Sequence, residues 1–124
     1  MYEIVVEKTI AAAHFLRNYP GKCSQLHGHN YRVRVYLRGS RLNAAGLLVD
    51  FGDVKSAVMD VLEGFDHRNL NDLPEFAEDN PSTENLARVL AERLNRYDFG
   101  LARLNRVEVW ETPGQGATYY PDET

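Results

Sequence analysis

The chain has 124 residues, 44% of them hydrophobic and 26% charged, with a formal net charge of -4. That balance reads as one globular domain over 1–124, and the acidic surplus gives no support to a nucleic-acid partner. No apolar run approaches the ~20 residues that cross a bilayer, and the lone Cys23 cannot form an internal disulfide, so a cytoplasmic location is expected.

In chain order, the N-terminus carries Glu3 and Glu7 where a secretory leader would carry basic residues. Residues 2 to 14 read as a strand, with Ile4, Val6, Ile10, Ala12 and His14 on one parity. Arg17 to Leu26 holds Asn18, Pro20-Gly21 and Ser24 and reads as a loop. Residues 29 to 38 give the clearest period of two: Tyr31, Val33, Val35 and Leu37 face one way, and Arg32, Arg34, Tyr36 and Arg38 the other. The arginine row is either a solvated face or the lining of a polar interior in an oligomer. His27 and His29 share the parity of the buried set. Two neutral imidazoles on one face make a partial zinc site, and Gly28 between them leaves room for close approach. His14 reads as the third ligand or as a hydrogen-bonded histidine at a strand end.

A helix is expected after Asp50, with Asp50 as its cap and Phe51, Val54, Val58, Val61, Leu62 and Phe65 as its apolar stripe, stopping at Gly64. Asp66 to Asp72 follows as a loop. Its adjacent Asp66 and His67 read as a proton-transfer pair or as turn chemistry with a surface histidine. A second helix opens at Ser82 or Thr83, carries Leu86, Val89, Leu90, Leu94 and Tyr97, and ends at Gly100. Leu104 to Thr112 alternates again and puts Glu111 on the face of Val107 and Val109, either turned inward or at an exposed strand end. Pro113 to Gly116 is a turn and Ala117 to Pro121 a last strand. The order β-β-α-α-β-β predicts an α+β fold, a four-stranded antiparallel sheet with two helices on one face.

Cys23-Ser-Gln-Leu-His-Gly-His-Asn-Tyr31, His14 in Ala-Ala-His-Phe, Phe65-Asp-His-Arg-Asn-Leu-Asn-Asp72, Asn80-Pro-Ser-Thr-Glu-Asn85 and Glu111-Thr112 occur together and in order. This set resembles the 6-pyruvoyl-tetrahydropterin synthase family, and its spacing looks most like the bacterial 6-carboxy-5,6,7,8-tetrahydropterin synthase branch of queuosine biosynthesis. The resemblance implies the tunnelling fold, in which three subunits close their sheets into a twelve-stranded barrel and two trimers stack into a homohexamer. It implies Zn2+ held by His14, His27 and His29. It makes Cys23 a catalytic thiol, Asp66 and His67 a second acid–base pair, and Glu111 the substrate-binding pterin anchor. The reaction implied is a lyase reaction, from 7,8-dihydroneopterin triphosphate to 6-carboxytetrahydropterin, acetaldehyde and triphosphate. Two other readings stand beside it: triphosphate elimination to 6-pyruvoyl-tetrahydropterin, and a non-catalytic module whose zinc is closed by one cysteine and three histidines. Arg17 and Lys22 are possible triphosphate contacts.

Overall fold

The computed structural model describes residues 1–121; the last three residues of the expected 1–124 domain lie outside the described residues. Strands β1 (Tyr2–His14) and β2 (His27–Gly39) pair antiparallel along their whole length. Helix α1 (Phe51–Leu62), a two-residue strand β3 (Arg68–Asn69), helix α2 (Thr83–Leu94) and the strands β4 (Arg103–Thr112) and β5 (Gln115–Tyr119) follow. The sheet order is β3-β1-β2-β4-β5.

The sheet is therefore five-stranded and mixed, where sequence periodicity predicted four antiparallel strands. The added strand, β3, pairs parallel to β1 through Ala12↔Arg68 and Ala13↔Asn69. Two residues are too few to leave a period in the sequence, so this strand read as loop. The α+β class and the placement of both helices on one face are as expected.

The alternation explains the layers. Val6, Ile10 and Ala12 of β1, Tyr31, Val33, Val35 and Leu37 of β2, and Val107 and Val109 of β4 are buried in one core. Helix α1 covers it with Val54, Val58, Val61 and Leu62, and α2 with Leu86, Val89, Leu90 and Leu94. Asp50 caps α1 by accepting from the Gly52 amide at 2.7 Å, and Ser82 caps α2 by accepting from the Asn85 amide at 3.1 Å. Three stripe residues depart from expectation. Phe51 opens α1 at its solvent side and is 48% exposed, Phe65 is buried but lies beyond the end of α1, and Tyr97 lies beyond the end of α2. Helix α1 stops beside Gly64 as expected, whereas α2 ends at Leu94, more than a turn before Gly100; at φ +62°, Gly100 turns the chain into β4 instead.

The opposite sheet face carries the arginine row, and its charges are paired. Glu7 meets Arg32 at 3.1 Å and Arg34 at 2.6 Å, Glu3 meets Arg38 and Arg106 at 3.1 Å each, and Glu108 lies 3.6 Å from Arg106. Each such exposed pair contributes at most ~1 kcal/mol, so this lattice orders the face more than it stabilises the fold.

The edge of β1 is closed in an unusual way at its C-terminal end. The Ala11 amide donates to Asp66 Oδ1 at 2.9 Å, and the His67 amide donates to the Ala11 carbonyl. Ala13 pairs with β3. Asn71 then takes Phe15 as a strand would, accepting from its amide at 2.9 Å and donating to its carbonyl at 3.0 Å. Asn80 does the same to Arg17, at 2.8 and 3.0 Å. Side chains from the segment between α1 and α2 thus satisfy edge groups that would otherwise be free to pair elsewhere.

Between those asparagines, Phe76 is fully buried, although the segment around it reads as irregular in the sequence. Phe76→Ala should destabilise the fold by about 3–5 kcal/mol, measured by denaturant unfolding; a loss under ~1 kcal/mol would mean that this segment is not part of the cooperative core.

Candidate metal centre and its surroundings

Strand register builds the centre. His14 stands directly opposite His27 in the β1–β2 ladder, and His29 stands opposite Ala12. All three imidazoles therefore leave the sheet on the same face, the one that the helices cover further along. Ala12, with its single methyl, leaves His29 the space to turn toward the other two. The ring centroids lie 4.6, 4.8 and 5.1 Å apart with the planes at 66–88° to one another. One nitrogen from each ring can serve as a ligand atom, and these three all lie within 4.8 Å of one another.

Hydrogen bonds settle which nitrogens face inward. His14 Nδ1 is 2.6 Å from the Pro81 carbonyl oxygen, and His27 Nδ1 is 2.7 Å from the Gln25 carbonyl oxygen. A carbonyl only accepts, so each Nδ1 carries the proton and each Nε2 keeps its lone pair. Those two Nε2 atoms lie 3.0 Å apart, acceptor against acceptor. His29 Nε2 is buried and makes no hydrogen bond among the described residues, although Glu111 Oε1 lies 3.4 Å away. A metal ion would resolve both conflicts at once. Two nitrogens in a tetrahedral zinc shell at ~2.0–2.1 Å stand ~3.3 Å apart, close to the observed spacing. The donor set of three neutral imidazoles fits zinc and leaves one position for substrate or water.

Electrostatics agree. Burial holds the pKa of His14 below its ordinary value, against the Pro81 carbonyl that favours its protonated form. Burial likewise lowers that of His29, with Glu111 opposing and the neighbouring imidazoles adding to the effect. Both rings are thus neutral and available to a cation. Tyr31 packs beneath them, its hydroxyl 3.2 Å from His14 Nδ1, and burial raises its pKa so that it stays neutral.

Glu111 sits on the same face at the end of β4, partly buried beside His29. Burial would raise its pKa, but the Thr83 hydroxyl, the His29 ring and the Gln115 amide outweigh that and hold it below the ordinary value. Thr83 donates to Oε2 at 2.7 Å and Gln115 to Oε1 at 3.0 Å. The carboxylate is therefore ionised and aimed by α2 and β5 together.

The remaining expected residues stand outside this group. Cys23 is exposed, in a single helical turn over Lys22–Ser24 of the β1–β2 loop, and is not among the residues clustered for a metal. Asp66 Oδ1 accepts from His67 Nδ1 at 3.0 Å as well as from the Ala11 amide, which is the main reason that its pKa lies below the ordinary carboxylate value. His67 holds a positive φ of 58°, unusual for a side chain with a Cβ, and projects into solvent. It lines a shallow groove of about 500 Å³ together with His29, Gly28, Asn30 and the alanines at 11 to 13. Gly28 points away from the histidines, into this groove; a Cβ there would meet only the Ala12 carbonyl oxygen, at 3.6 Å. Arg17 donates from Nη2 to the Phe76 and Asp79 carbonyls at 2.7 and 2.9 Å. The Pro81 and Gln25 carbonyls, Thr83 and Gln115 went unassigned in the sequence; of these only Asn80-Pro81-Ser82-Thr83 carried a signal, as a motif without a role.

The family model described as 6-pyruvoyl tetrahydropterin synthase matches residues 3–122. The 6-carboxy-5,6,7,8-tetrahydropterin synthase of Bacillus subtilis is 34% identical, over 97% of this chain and 86% of its own length. The protein of the same name from Synechocystis is also 34% identical, over 97% and 94%. The solved structure of Caenorhabditis elegans 6-pyruvoyl tetrahydropterin synthase superposes with a TM-score of 0.84 at 30% identity, covering 98% of both chains.

Metal affinity should follow proton competition for the three rings. Because the folded-state pKa values of His14 and His29 are lowered, zinc should stay bound as pH falls to ~6.5 and dissociate only below it. A chelator-competition titration across pH checks this, and His27→Ala should lose the metal at every pH; zinc retained by that variant would remove His27 from the shell.

Proposed function

Since this chain belongs to the 6-pyruvoyl tetrahydropterin synthase family, we propose that it is a zinc-dependent lyase that converts 7,8-dihydroneopterin triphosphate to 6-carboxy-5,6,7,8-tetrahydropterin, acetaldehyde and triphosphate, within queuosine biosynthesis. The observation that carries the reading is the trio His14, His27 and His29, with inward lone pairs, next to an ionised Glu111. The two bacterial relatives named for the carboxy product favour this branch. The C. elegans structure keeps 6-pyruvoyl-tetrahydropterin synthesis as the second reading. The closed structural site of one cysteine and three histidines is disfavoured by the position of Cys23 outside the cluster.

A zinc ion at the three imidazoles would polarise the substrate's side-chain oxygens and make neighbouring C–H protons more acidic. Cys23, on its exposed turn between the strands that carry the histidines, takes a proton as base. His67, held by Asp66, moves a second proton from the groove side. Glu111 accepts N–H groups of the pterin ring, and Thr83 keeps its carboxylate in the orientation that this needs.

The chain acts as one domain and assembles as a homo-oligomer in the cytoplasm. Among the described residues no helix is long and apolar enough to cross a membrane. Among the described residues, the edge of β1 before Ala11 and the outer edge of β5 have no strand beside them. Such edges pair with other copies or need protection, which supports the trimer-based barrel and the hexamer.

Incubation with dihydroneopterin triphosphate should release acetaldehyde and triphosphate; pyruvoyl product without acetaldehyde would replace the first reading by the second. Cys23→Ala should keep about one zinc per subunit and abolish turnover, whereas loss of zinc on that change would restore the closed site. Glu111→Gln should raise the Michaelis constant roughly tenfold or more while keeping zinc, because a donor then faces a ring N–H.

A further inference from the structure

The Pro81 carbonyl that fixes His14 is itself held from two sides. Asn80, the residue before it, is locked to the Arg17 backbone through both ends of its amide. The Asn80 carbonyl accepts from Asn85 Nδ2 at 2.8 Å, which ties it to the first turn of α2. The Ser82 cap fixes the residue on the other side of Pro81. Arg17 lies three residues beyond His14 on the same chain. The loop is thereby a bracket that spans from the end of β1 to α2 and presents one carbonyl oxygen to one imidazole.

We infer that Asn80 is a positioning residue for His14: by clamping Arg17 it places the Pro81 carbonyl against Nδ1, which selects the tautomer whose Nε2 lone pair faces His27 and His29. Asn71 supplies the internal comparison. It clamps Phe15 with the same two hydrogen bonds on the same edge of β1, but no carbonyl beside it reaches a histidine. Loss of either clamp frees one edge residue; only loss of Asn80 frees the carbonyl. The effect on metal rests on the zinc reading above, whereas the effect on the tautomer does not.

Asn80→Ala and Asn71→Ala, with Asn85→Ala as a milder way to release the same carbonyl, separate these roles. In metal-free protein at pH 8, nitrogen-15 NMR of the imidazoles should show His14 as a single Nδ1-protonated tautomer in the parent and in Asn71→Ala. Asn80→Ala and Asn85→Ala should show a mixture. Zinc affinity by chelator competition should fall 10- to 100-fold in Asn80→Ala, the usual cost of losing a histidine's outer partner, and stay within about threefold in Asn71→Ala. An unchanged His14 tautomer in both Asn80→Ala and Asn85→Ala would overturn the inference, as would equal loss of zinc affinity in the Asn80 and Asn71 variants. A parent protein that takes up no zinc would overturn the metal reading alone, leaving the tautomer measurement to decide the role of Asn80. If Asn80→Ala does not fold, the tautomer in Asn85→Ala decides.

Discussion

The pairing of His14 with His27 across β1 and β2 is the constraint on which the rest depends. Side chains alternate between faces at every residue, so a slip of one position would send one of these rings to the arginine face and bring Ala13 or Gly28 to the site. The apolar alternation further along holds the register. Val6 faces Val35 and Ile10 faces Tyr31 on the buried side, and a shift of one residue would turn one strand's apolar set away from the helices. The hydrophobic core and the histidine trio are thus one periodic pattern. Its last repeats substitute imidazoles for aliphatic groups where the helices no longer cover the sheet.

Holding three rings in this way has an electrostatic cost. Two lone pairs meet at 3.0 Å, and a third nitrogen is buried without a hydrogen bond. A fold keeps such an arrangement when surrounding contacts determine it, and here those contacts are backbone carbonyls at Pro81 and Gln25 and the phenol of Tyr31. The segment between the helices plays a double part. Asn71 and Asn80 close the chain edge at the end of β1, and Asn80 with Asn85 carries Pro81 into place. Stability of the edge and preorganisation of the site therefore draw on the same segment between the helices.

Much of this was legible in the sequence because the relevant signals are periodic or clustered. β1 and β2 follow from alternation, the caps at Asp50 and Ser82 from residue type, and the shared face of His14, His27, His29 and Glu111 from parity. What the sequence concealed is non-periodic. β3 has two residues, and its place is set by Asp66 and Asn71 reaching β1. Phe76 is buried in a segment rich in turn residues, where local polarity outvoted one aromatic ring. The sequence showed Arg17 only as a basic residue, and not the bonds that its Nη2 makes to two carbonyls about sixty residues away in the chain. Gly28 suggested access between two histidines, whereas parity places its open side on the opposite face. Apart from Gly28, these contacts are made across the chain by single side chains, which no local pattern encodes.

X-ray absorption at the zinc edge of the purified, zinc-loaded protein tests the central claim most directly. A centre built by the β1–β2 register predicts three imidazole nitrogens at ~2.0–2.1 Å, a light atom completing the shell and no sulfur. A sulfur neighbour at ~2.3 Å, or a shell with fewer than three imidazoles, would contradict it.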